Sequence, residues 1–238
     1  MAKKSRGTQG RAQNKAQAPE NYTAVDRPTH KAPPPLQAKT PNQKTYINSI
    51  EHNTITIGTG PAGSGKSYVA TALAADLLAQ NKIEKLILTR PLVEAGEKMG
   101  FLPGTMDEKM LPYLLPVLSI LHERLGVSFT DYLIKTKRIV GLPLAFARGH
   151  TFKDCFVLLD EAQNMTASQM KLFLTRIGED CTVVINGDVS QKDLHNAHGL
   201  EDAIRRIGDL KGVGHVAFNR DDIVRSGLCQ AIVDRYAQ

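Results

Sequence analysis

The feature that most constrains this chain is a glycine-rich loop between a predicted strand and a predicted helix. The strand covers residues 54–59, and residues 60–67 follow as Gly-Pro-Ala-Gly-Ser-Gly-Lys-Ser. A helical pattern then covers residues 66–80. The spacing is that of the Walker A motif, which requires this succession of strand, loop and helix. The sequence therefore predicts a loop that binds phosphate groups.

The glycines of such a loop let successive backbone N–H groups curl around phosphates, and the helix N-terminus adds free donors and the positive end of its dipole. We expect Lys66 to reach the β and γ phosphates of a nucleotide and Ser67 to bind magnesium. ATP and Mg²⁺ are the predicted ligands. The residues predicted to bind the nucleotide in this segment are Gly60, Pro61, Ala62, Gly63, Ser64, Gly65, Lys66, Ser67 and Tyr68.

Two acidic residues follow a second hydrophobic strand, at residues 156–160. The run Phe-Val-Leu-Leu precedes Asp160 and Glu161, as expected for a strand that is buried on both faces of a parallel sheet. We expect Asp160 to complete the magnesium shell, and Glu161 to orient and deprotonate the attacking water. This pair predicts hydrolysis and disfavours a small-molecule kinase, which rarely needs a base that activates water.

Two glutamines are further candidates. Gln191 lies in a polar cluster after a strand at residues 182–186, where it could sense the γ-phosphate. The alternative is a structural turn built on Gly187 and Asp188. Gln43 lies before the first strand, and its carboxamide could read the adenine edge and favour ATP over GTP. The alternative is an ordinary surface residue.

A cation besides Lys66 is needed, because the transition state of phosphoryl transfer spreads negative charge that an arginine typically neutralises. The candidates are Arg90, Arg148, Arg176 and Arg225. Their positions in the chain do not choose among them.

Short strand-like runs alternate with helical patterns after residue 45, which predicts an α/β fold with a mainly parallel sheet flanked by helices. The region 91–148 is less regular, with a helix predicted at 106–124 despite two prolines. The predicted strands are 54–59, 85–90, 156–160, 182–186 and 215–218, and the other predicted helices are 66–80, 166–177, with Thr166 as N-cap, 200–207 and 221–236.

The N-terminal segment differs from the rest in composition. Residues 1–41 contain six of the twelve prolines and show no helix or strand period, so we expect a disordered tail over residues 1–40 and one domain over 41–238. Residues 1–44 carry nine Lys or Arg against two acidic side chains, whereas the remainder carries 21 basic and 22 acidic ones. The tail is either a basic arm that contacts the phosphates of an anionic polymer or a solubilising leader.

No apolar run reaches the roughly 18 to 20 residues needed to cross a bilayer, and the N-terminus lacks the apolar core of a signal peptide. We expect a cytoplasmic protein without a membrane partner. The three cysteines are few and widely spaced, so we expect small buried hydrophobic residues and no disulfide framework or metal site.

Several segments together closely resemble the PhoH family of P-loop ATPases. They are residues 147–152, 157–164 and 187–191, joined by Thr-Arg-Pro at 89–91 and Asp-Ile-Val-Arg at 222–225. The match spans about residues 41–236. PhoH proteins are similar to the first motor domain of superfamily 1 helicases, so the resemblance implies a RecA-like P-loop NTPase fold, ATPase activity, a role in RNA metabolism and ring hexamers.

Those helicases use two tandem motor domains, and this chain has room for one. We therefore expect a homo-oligomer in which a neighbouring subunit completes each site, with Arg225 and Arg148 as the preferred arginines given in trans. The favoured function is an oligomeric ATPase directed by single-stranded RNA, with helicase or translocase activity among the options. The alternative is an ATP-dependent protein-interaction switch that acts with a ribonuclease or a ribosome-assembly partner.

Overall fold

The protein was analysed as a computed structural model that describes residues 28, 33–91, 106–144, 149, 151–191, 197–224 and 235. Its strands are β1 (Ile55–Thr59), β2 (Lys85–Thr89), β3 (Ile139–Gly141), β4 (Cys155–Leu159), β5 (Thr182–Gly187) and β6 (Val213–Ala217). They form one six-stranded sheet in the order β3-β2-β4-β5-β1-β6. All neighbouring strands run parallel.

Helices cover both faces of this sheet. They are α1 (Pro41–His52), α2 (Lys66–Ala79), α3 (Met106–Leu125), α4 (Val127–Lys135), α5 (Ala167–Leu174) and α6 (Gly199–Ile207). Two short 3-10 turns, Ala162–Asn164 and Arg220–Asp222, follow β4 and β6. The predicted α/β fold with a parallel sheet is confirmed. None of the helices in the described ranges is long and apolar enough to cross a membrane.

The core has two halves, one on each face of the sheet, and β4 contributes to both. Phe156 and Leu158 belong to the half under α1 to α4, whereas Val157 and Leu159 belong to the half under α5 and α6. All four side chains are fully buried. Such two-sided burial is typical of a central strand in a parallel sheet, and it explains the continuous apolar run in the sequence.

Helix α1 was not predicted. It begins with Thr40 as N-cap, whose hydroxyl accepts the Gln43 N–H at 3.2 Å, and Pro41 occupies the first turn, where its missing N–H costs nothing. Tyr46 and Ile50 are its buried large apolar side chains, and Ile47 packs against them partly exposed. The helix places Gln43 against the glycine-rich loop.

Other element boundaries also differ from the sequence predictions. Helix α4 and strand β3 lie inside the stretch expected to be irregular, where α3 was correctly predicted. Thr166 is the N-cap of α5 as predicted, with a reciprocal capping box to Gln169, but α5 ends at Leu174 and not at Ile177. Strand β6 begins two residues before the predicted 215–218 and ends at Ala217.

The helix predicted at 221–236 was wrong at its start. Residues Arg220–Asp222 form a 3-10 turn, and Ile223 is extended with φ −70° and ψ 108°. Residues 225–234 and 236–238 lie outside the described residues. The predicted disordered tail also lies outside them, apart from residues 28 and 33–40.

Candidate active site

The sheet brings the predicted site residues to one edge, because β1, β4 and β5 are adjacent and parallel and their carboxyl ends coincide. A cavity of about 310 Å³ opens there. The residues that line it are Ala62, Gly63, Gly65, Lys66, Ser67, Tyr68, Asp160, Glu161, Gln163, Gly187, Asp188 and Gln191. Sequence motifs separated by more than 90 residues therefore meet in one cavity.

Lys66 is folded back onto the loop that carries it. Its Nζ donates to the carbonyl oxygens of Gly60 at 2.6 Å and Pro61 at 2.9 Å, and to the Ser64 hydroxyl at 3.2 Å. Burial lowers the pKa of Lys66 from its usual value, and the carboxylates of Asp188 and Asp160 oppose this effect. The ammonium group thus lies in a largely buried site, where its hydrogen bonds to loop carbonyls can be exchanged for bonds to phosphate oxygens.

Helix α1 contacts the glycine-rich loop through Gln43. Gln43 donates from Nε2 to the Ser64 carbonyl at 3.0 Å, and its Oε1 accepts the Lys39 N–H at 2.8 Å. Gly65 has a φ of +85°, and a Cβ at this position would come within 2.7 Å of the Gln43 Nε2. Gln43 is 3% exposed, so in this structure its carboxamide supports the loop. Its role toward adenine stays a prediction.

The segment after β6 also contacts the glycine-rich loop. The Val224 N–H donates to the Gly63 carbonyl at 3.0 Å. The Asp222 carboxylate accepts from the Thr40 hydroxyl at 2.6 Å and from Asn42 Nδ2 at 2.7 Å. This segment therefore connects the tip of the loop to the start of α1. Sequence analysis did not identify Asp222 as a site residue, because its partners lie some 180 residues away.

Ser67 and Asp160 lie together, as the predicted magnesium site requires. The Ser67 hydroxyl donates to Asp160 Oδ1 at 2.9 Å. Burial raises the pKa of Asp160, the Ser67 hydrogen bond opposes the rise, and the neighbouring Glu161 charge adds to it. A cation placed between these two oxygens would remove the cost of burying that charge, so the residues present fit Mg²⁺.

Asp188 is a buried carboxylate that sequence analysis did not assign. Its Oδ1 accepts from the Ser190 N–H at 3.0 Å and from the Ser190 hydroxyl at 2.6 Å. Its Oδ2 is buried without a hydrogen-bond partner among the described residues. Such an unpaired oxygen, in the wall of the cavity, is an acceptor available to a cation or its water. Within the described part of the chain, no cluster of three or more His, Cys, Asp or Glu side chains could hold a metal alone.

Glu161 is held at both carboxylate oxygens. Its Oε1 is 3.2 Å from Arg90 Nη2, and its Oε2 accepts from Gln163 Nε2 at 2.6 Å. The backbone of Glu161 adopts a left-handed conformation, with φ 57° and ψ 36°, which is uncommon for a non-glycine residue. Backbone and side-chain contacts together fix the direction of this carboxylate.

Gln163 also connects the two acidic segments. Its Oε1 accepts the Asp188 N–H at 3.1 Å while its Nε2 binds Glu161. Gln191 lines the cavity on the same side, and its backbone N–H donates to the Asp188 carbonyl at 3.0 Å. Both the γ-phosphate sensor role and the structural-turn alternative for Gln191 stay predictions.

Fewer contacts define the positions of the remaining candidate residues. Tyr68 lines the cavity and donates from its hydroxyl to Glu123 Oε1 at 2.8 Å. Arg176 follows α5 and does not belong to the lining of the cavity. Arg148 and Arg225 both lie outside the described residues, so the choice between them stays open.

A family model described as PhoH-like protein matches residues 35–237. The chain belongs to the PhoH family. Protein PhoH of Escherichia coli K12 is 43% identical over 207 residues, which cover 85% of this chain and 58% of that protein. A PhoH-like protein of Mycobacterium tuberculosis H37Rv is 45% identical over 205 residues and is covered to the same extents.

The PhoH-like protein of Bacillus subtilis 168 is 43% identical over 203 residues, with 84% of this chain and 64% of that protein covered. The chain thus spans less than two thirds of the length of these curated relatives. Among solved structures, the large terminase of a thermophilic bacteriophage has 12% identity and a TM-score of 0.48, over 84% of this chain and 50% of the other. A structural similarity at this level supports no conclusion about function.

The family match confirms the resemblance seen in the sequence. The glycine-rich loop follows β1 of a parallel sheet flanked by helices, so this PhoH family member has the P-loop NTPase fold that the resemblance implied.

Proposed function

We propose that this PhoH family member is an oligomeric, magnesium-dependent ATPase directed by single-stranded RNA, with residues 41–238 as its ATPase domain. The observation that carries the ATPase part is the convergence of Lys66, the Ser67–Asp160 pair and Glu161 on one cavity. The loop binds phosphates, the hydroxyl and carboxylate hold the metal, and the second carboxylate activates water.

Lys66 acts first in the proposed reaction. It gives up its contacts with the Gly60 and Pro61 carbonyls for the β and γ phosphates of ATP. Because its ammonium group is largely buried, its attraction to the phosphates is screened less than it would be at the surface. This neutralisation lowers the energy of the phosphoryl transition state, in which negative charge spreads over the transferred group.

Glu161 is the general base. Its carboxylate faces the cavity that would contain the γ-phosphate, and Gln163 fixes its orientation through the 2.6 Å hydrogen bond. It accepts a proton from the attacking water as the bond from the water oxygen to the γ-phosphorus forms. The bond from that phosphorus to the β–γ bridging oxygen breaks in the same displacement, and ADP leaves. Gln191, which lines the same cavity, detects whether the γ-phosphate is present.

Ser67 and Asp160 would hold magnesium, with Asp188 available through its unpaired oxygen. Magnesium bound there supplies positive charge to the β and γ phosphate oxygens. Few protein ligands suffice, since Mg²⁺ is commonly bound through one or two carboxylates together with substrate phosphates.

The charge of the cavity supports an oligomer. Among the described residues that line it, Lys66 is the one cation, against the three carboxylates Asp160, Glu161 and Asp188. A nucleotide brings further negative charge, so the site needs a cation from outside this set in addition to magnesium. We propose that a neighbouring subunit of a ring, as in a hexamer, supplies Arg225 or Arg148.

Single-stranded RNA is proposed as the stimulating ligand because residues 1–44 carry the excess of positive charge in the chain. One observation favours the alternative, a switch that acts on a protein partner such as a ribonuclease. Residues 45–238 are close to electrically neutral, and large apolar side chains such as Leu115 and Val127 are more than half exposed.

Phosphate release from ATP by the purified protein, with and without single-stranded RNA, tests the proposal. Lys66→Ala and Glu161→Gln should each lower turnover by at least roughly 10²-fold, whereas Lys82→Ala and Glu51→Gln, which change exposed residues of the same types, should leave it intact. RNA stimulation that falls steeply with salt supports the RNA-directed ATPase. Turnover that a protein partner stimulates and RNA does not would favour the switch, and turnover that Lys66→Ala leaves unchanged contradicts the proposed site.

A further inference from the structure

Arg90 contacts Glu161 from outside the nucleotide cavity. It follows β2 and lines a small cavity of about 20 Å³ beside Leu114 and Pro116 of α3, and Asp160 lines both this cavity and the larger one. Arg90 does not belong to the lining of the 310 Å³ cavity, whereas Glu161 does. The Arg90 Nη2 nevertheless lies 3.2 Å from Glu161 Oε1. Arg90 therefore contacts the proposed base directly, and its charge also acts on Asp160.

The other oxygen of Glu161 is engaged as well. Gln163 donates to Oε2, and its amide is fixed by its second hydrogen bond to the Asp188 N–H. A carboxylate held at Oε1 by a cation and at Oε2 by an anchored amide has little freedom to turn. Accepting a proton from water then competes with the ion pair.

We propose that Arg90 is a positioning residue that restrains Glu161 in the free protein, and that the phosphodiester backbone of single-stranded nucleic acid releases Glu161 by binding the Arg90 guanidinium. The inference rests on the proposed ATPase function and names how that site is regulated. Binding of the polymer and activation of water then become one event.

The pair is suited to such an exchange. The side chains of Arg90 and Glu161 are 35% and 38% exposed, so solvent and ligands can reach both. Partly exposed ion pairs are weak, and they are readily replaced by a competing anion. A guanidinium binds phosphate through the same bidentate hydrogen bonds as carboxylate, so a phosphodiester can compete with Glu161 for Arg90.

The direction of the effect separates this role from the usual one. An arginine that stabilises the transition state lowers turnover when it is removed. An arginine that restrains the base raises turnover when it is removed, because Glu161 becomes free. The KM for ATP should stay unchanged in the second case, since Arg90 does not line the nucleotide cavity.

The test measures kcat and KM for ATP in wild type, Arg90→Ala and Arg90→Lys, with and without polyuridylate. Arg206→Ala is the matched control, because Arg206 also pairs with a carboxylate but lies on the exposed face of α6. We expect Arg90→Ala to raise kcat without polymer by about twofold to fivefold, the range that loss of a partly exposed ion pair allows. Arg90→Lys, which keeps a cation, should lie near wild type, and Arg206→Ala should equal it.

Polyuridylate should stimulate wild type and Arg206→Ala, and it should add nothing to Arg90→Ala. Fluorescence anisotropy of a labelled oligouridylate should show that Arg90→Ala still binds the polymer. A fall in kcat for Arg90→Ala, or unchanged stimulation by polyuridylate, would overturn the proposal. Stimulation of wild type by polyglutamate but not by polyuridylate would overturn the nucleic-acid part.

Failure of the Arg90 proposal can be distinguished from failure of the proposed ATPase function. If wild type hydrolyses ATP and Lys66→Ala does not, the ATPase assignment stands whatever Arg90→Ala does. If wild type shows no turnover under any condition, both proposals fall. Circular dichroism spectra and thermal midpoints of the variants exclude misfolding as the cause of any change.

Discussion

The interior of the sheet and its carboxyl edge use the same strands for opposite purposes. Inside, Phe156 and Leu158 of β4 are fully buried among apolar neighbours. Two residues further, Asp160 is a carboxylate whose pKa burial raises, and Asp188, which lines the same cavity, has a buried oxygen without a hydrogen-bond partner among the described residues. The interior of β4 is apolar, whereas the edge leaves charged groups in an unfavourable state.

This contrast shows where stability and chemistry reside in the molecule. Apolar burial contributes about 25 cal/mol per Å² removed from water, so the interior holds the strands in register. The edge then carries charges that would be costly without a ligand, in the way that sites commonly trade stability for function. Substitutions in the two regions should therefore have opposite signatures.

The largest effect is expected at the edge. Lys66→Ala should lower turnover by roughly 10²-fold to 10³-fold, the usual cost of removing one group that stabilises transition-state charge. It should cost little stability, because it removes a desolvated ammonium group. Phosphate release and thermal unfolding of the same preparation provide the check. A marked drop in the thermal midpoint would break the contrast between edge and interior.

Phe156→Ala should show the opposite signature in the interior. Truncating a fully buried phenylalanine typically costs about 3 to 5 kcal/mol, from lost burial and the cavity that remains. Denaturant titration measures the loss, and Leu210→Ala is the control at a site that is 54% exposed. A cost under roughly 1 kcal/mol, typical of surface sites, would show that the interior does not carry the stability.

The edge also predicts a pH dependence. The pKa of Asp160 is raised in the folded protein from its usual 3.8, so the folded state binds more protons than the unfolded state just above that value. Its contribution is therefore favourable below pH 3.8 and is lost as pH rises through the folded pKa. Without nucleotide, Asp160→Asn should be more stable than wild type at about pH 7, with a difference that shrinks on acidification. Urea unfolding at several pH values measures the difference in stability. If wild type is less stable than Asp160→Asn only at low pH, the prediction is wrong.

The smallest effect is expected at the N-terminus of α5, where Thr166 is partly exposed. Thr166→Ala should cost about 1 kcal/mol, because it removes the N-cap of α5 and half of its capping box with Gln169. Thr166→Ser keeps the hydroxyl and should recover most of the loss. Urea titration gives the stability and phosphate release the activity, and turnover should be equal in all three proteins. Reduced turnover in Thr166→Ala would mean that α5 influences the edge.

The sequence predicted the elements whose residues are buried on two faces, and it missed those supported by tertiary contacts. Strand β4 is a continuous apolar run and β5 contains one, so their positions were readable, as were the two acids that follow β4. Helix α1 has little apolar periodicity and depends on Tyr46 packing against the sheet. Strand β3 has three residues, too few to show a period. The motif residues were found individually, but the Arg90–Glu161 pair depends on β2 lying beside β4, which spacing does not reveal.

The bonds from Asp222 to Thr40 and Asn42 also set the order in which the protein can be completed during synthesis. They span 182 and 180 residues, and they join the start of α1 to the segment that follows β6. Strand β6, which flanks β1, is also made long after the glycine-rich loop. On the ribosome, the phosphate-binding loop therefore stays unbraced on one side until residues 213–224 have left the exit tunnel. A nascent chain cannot complete this site before then.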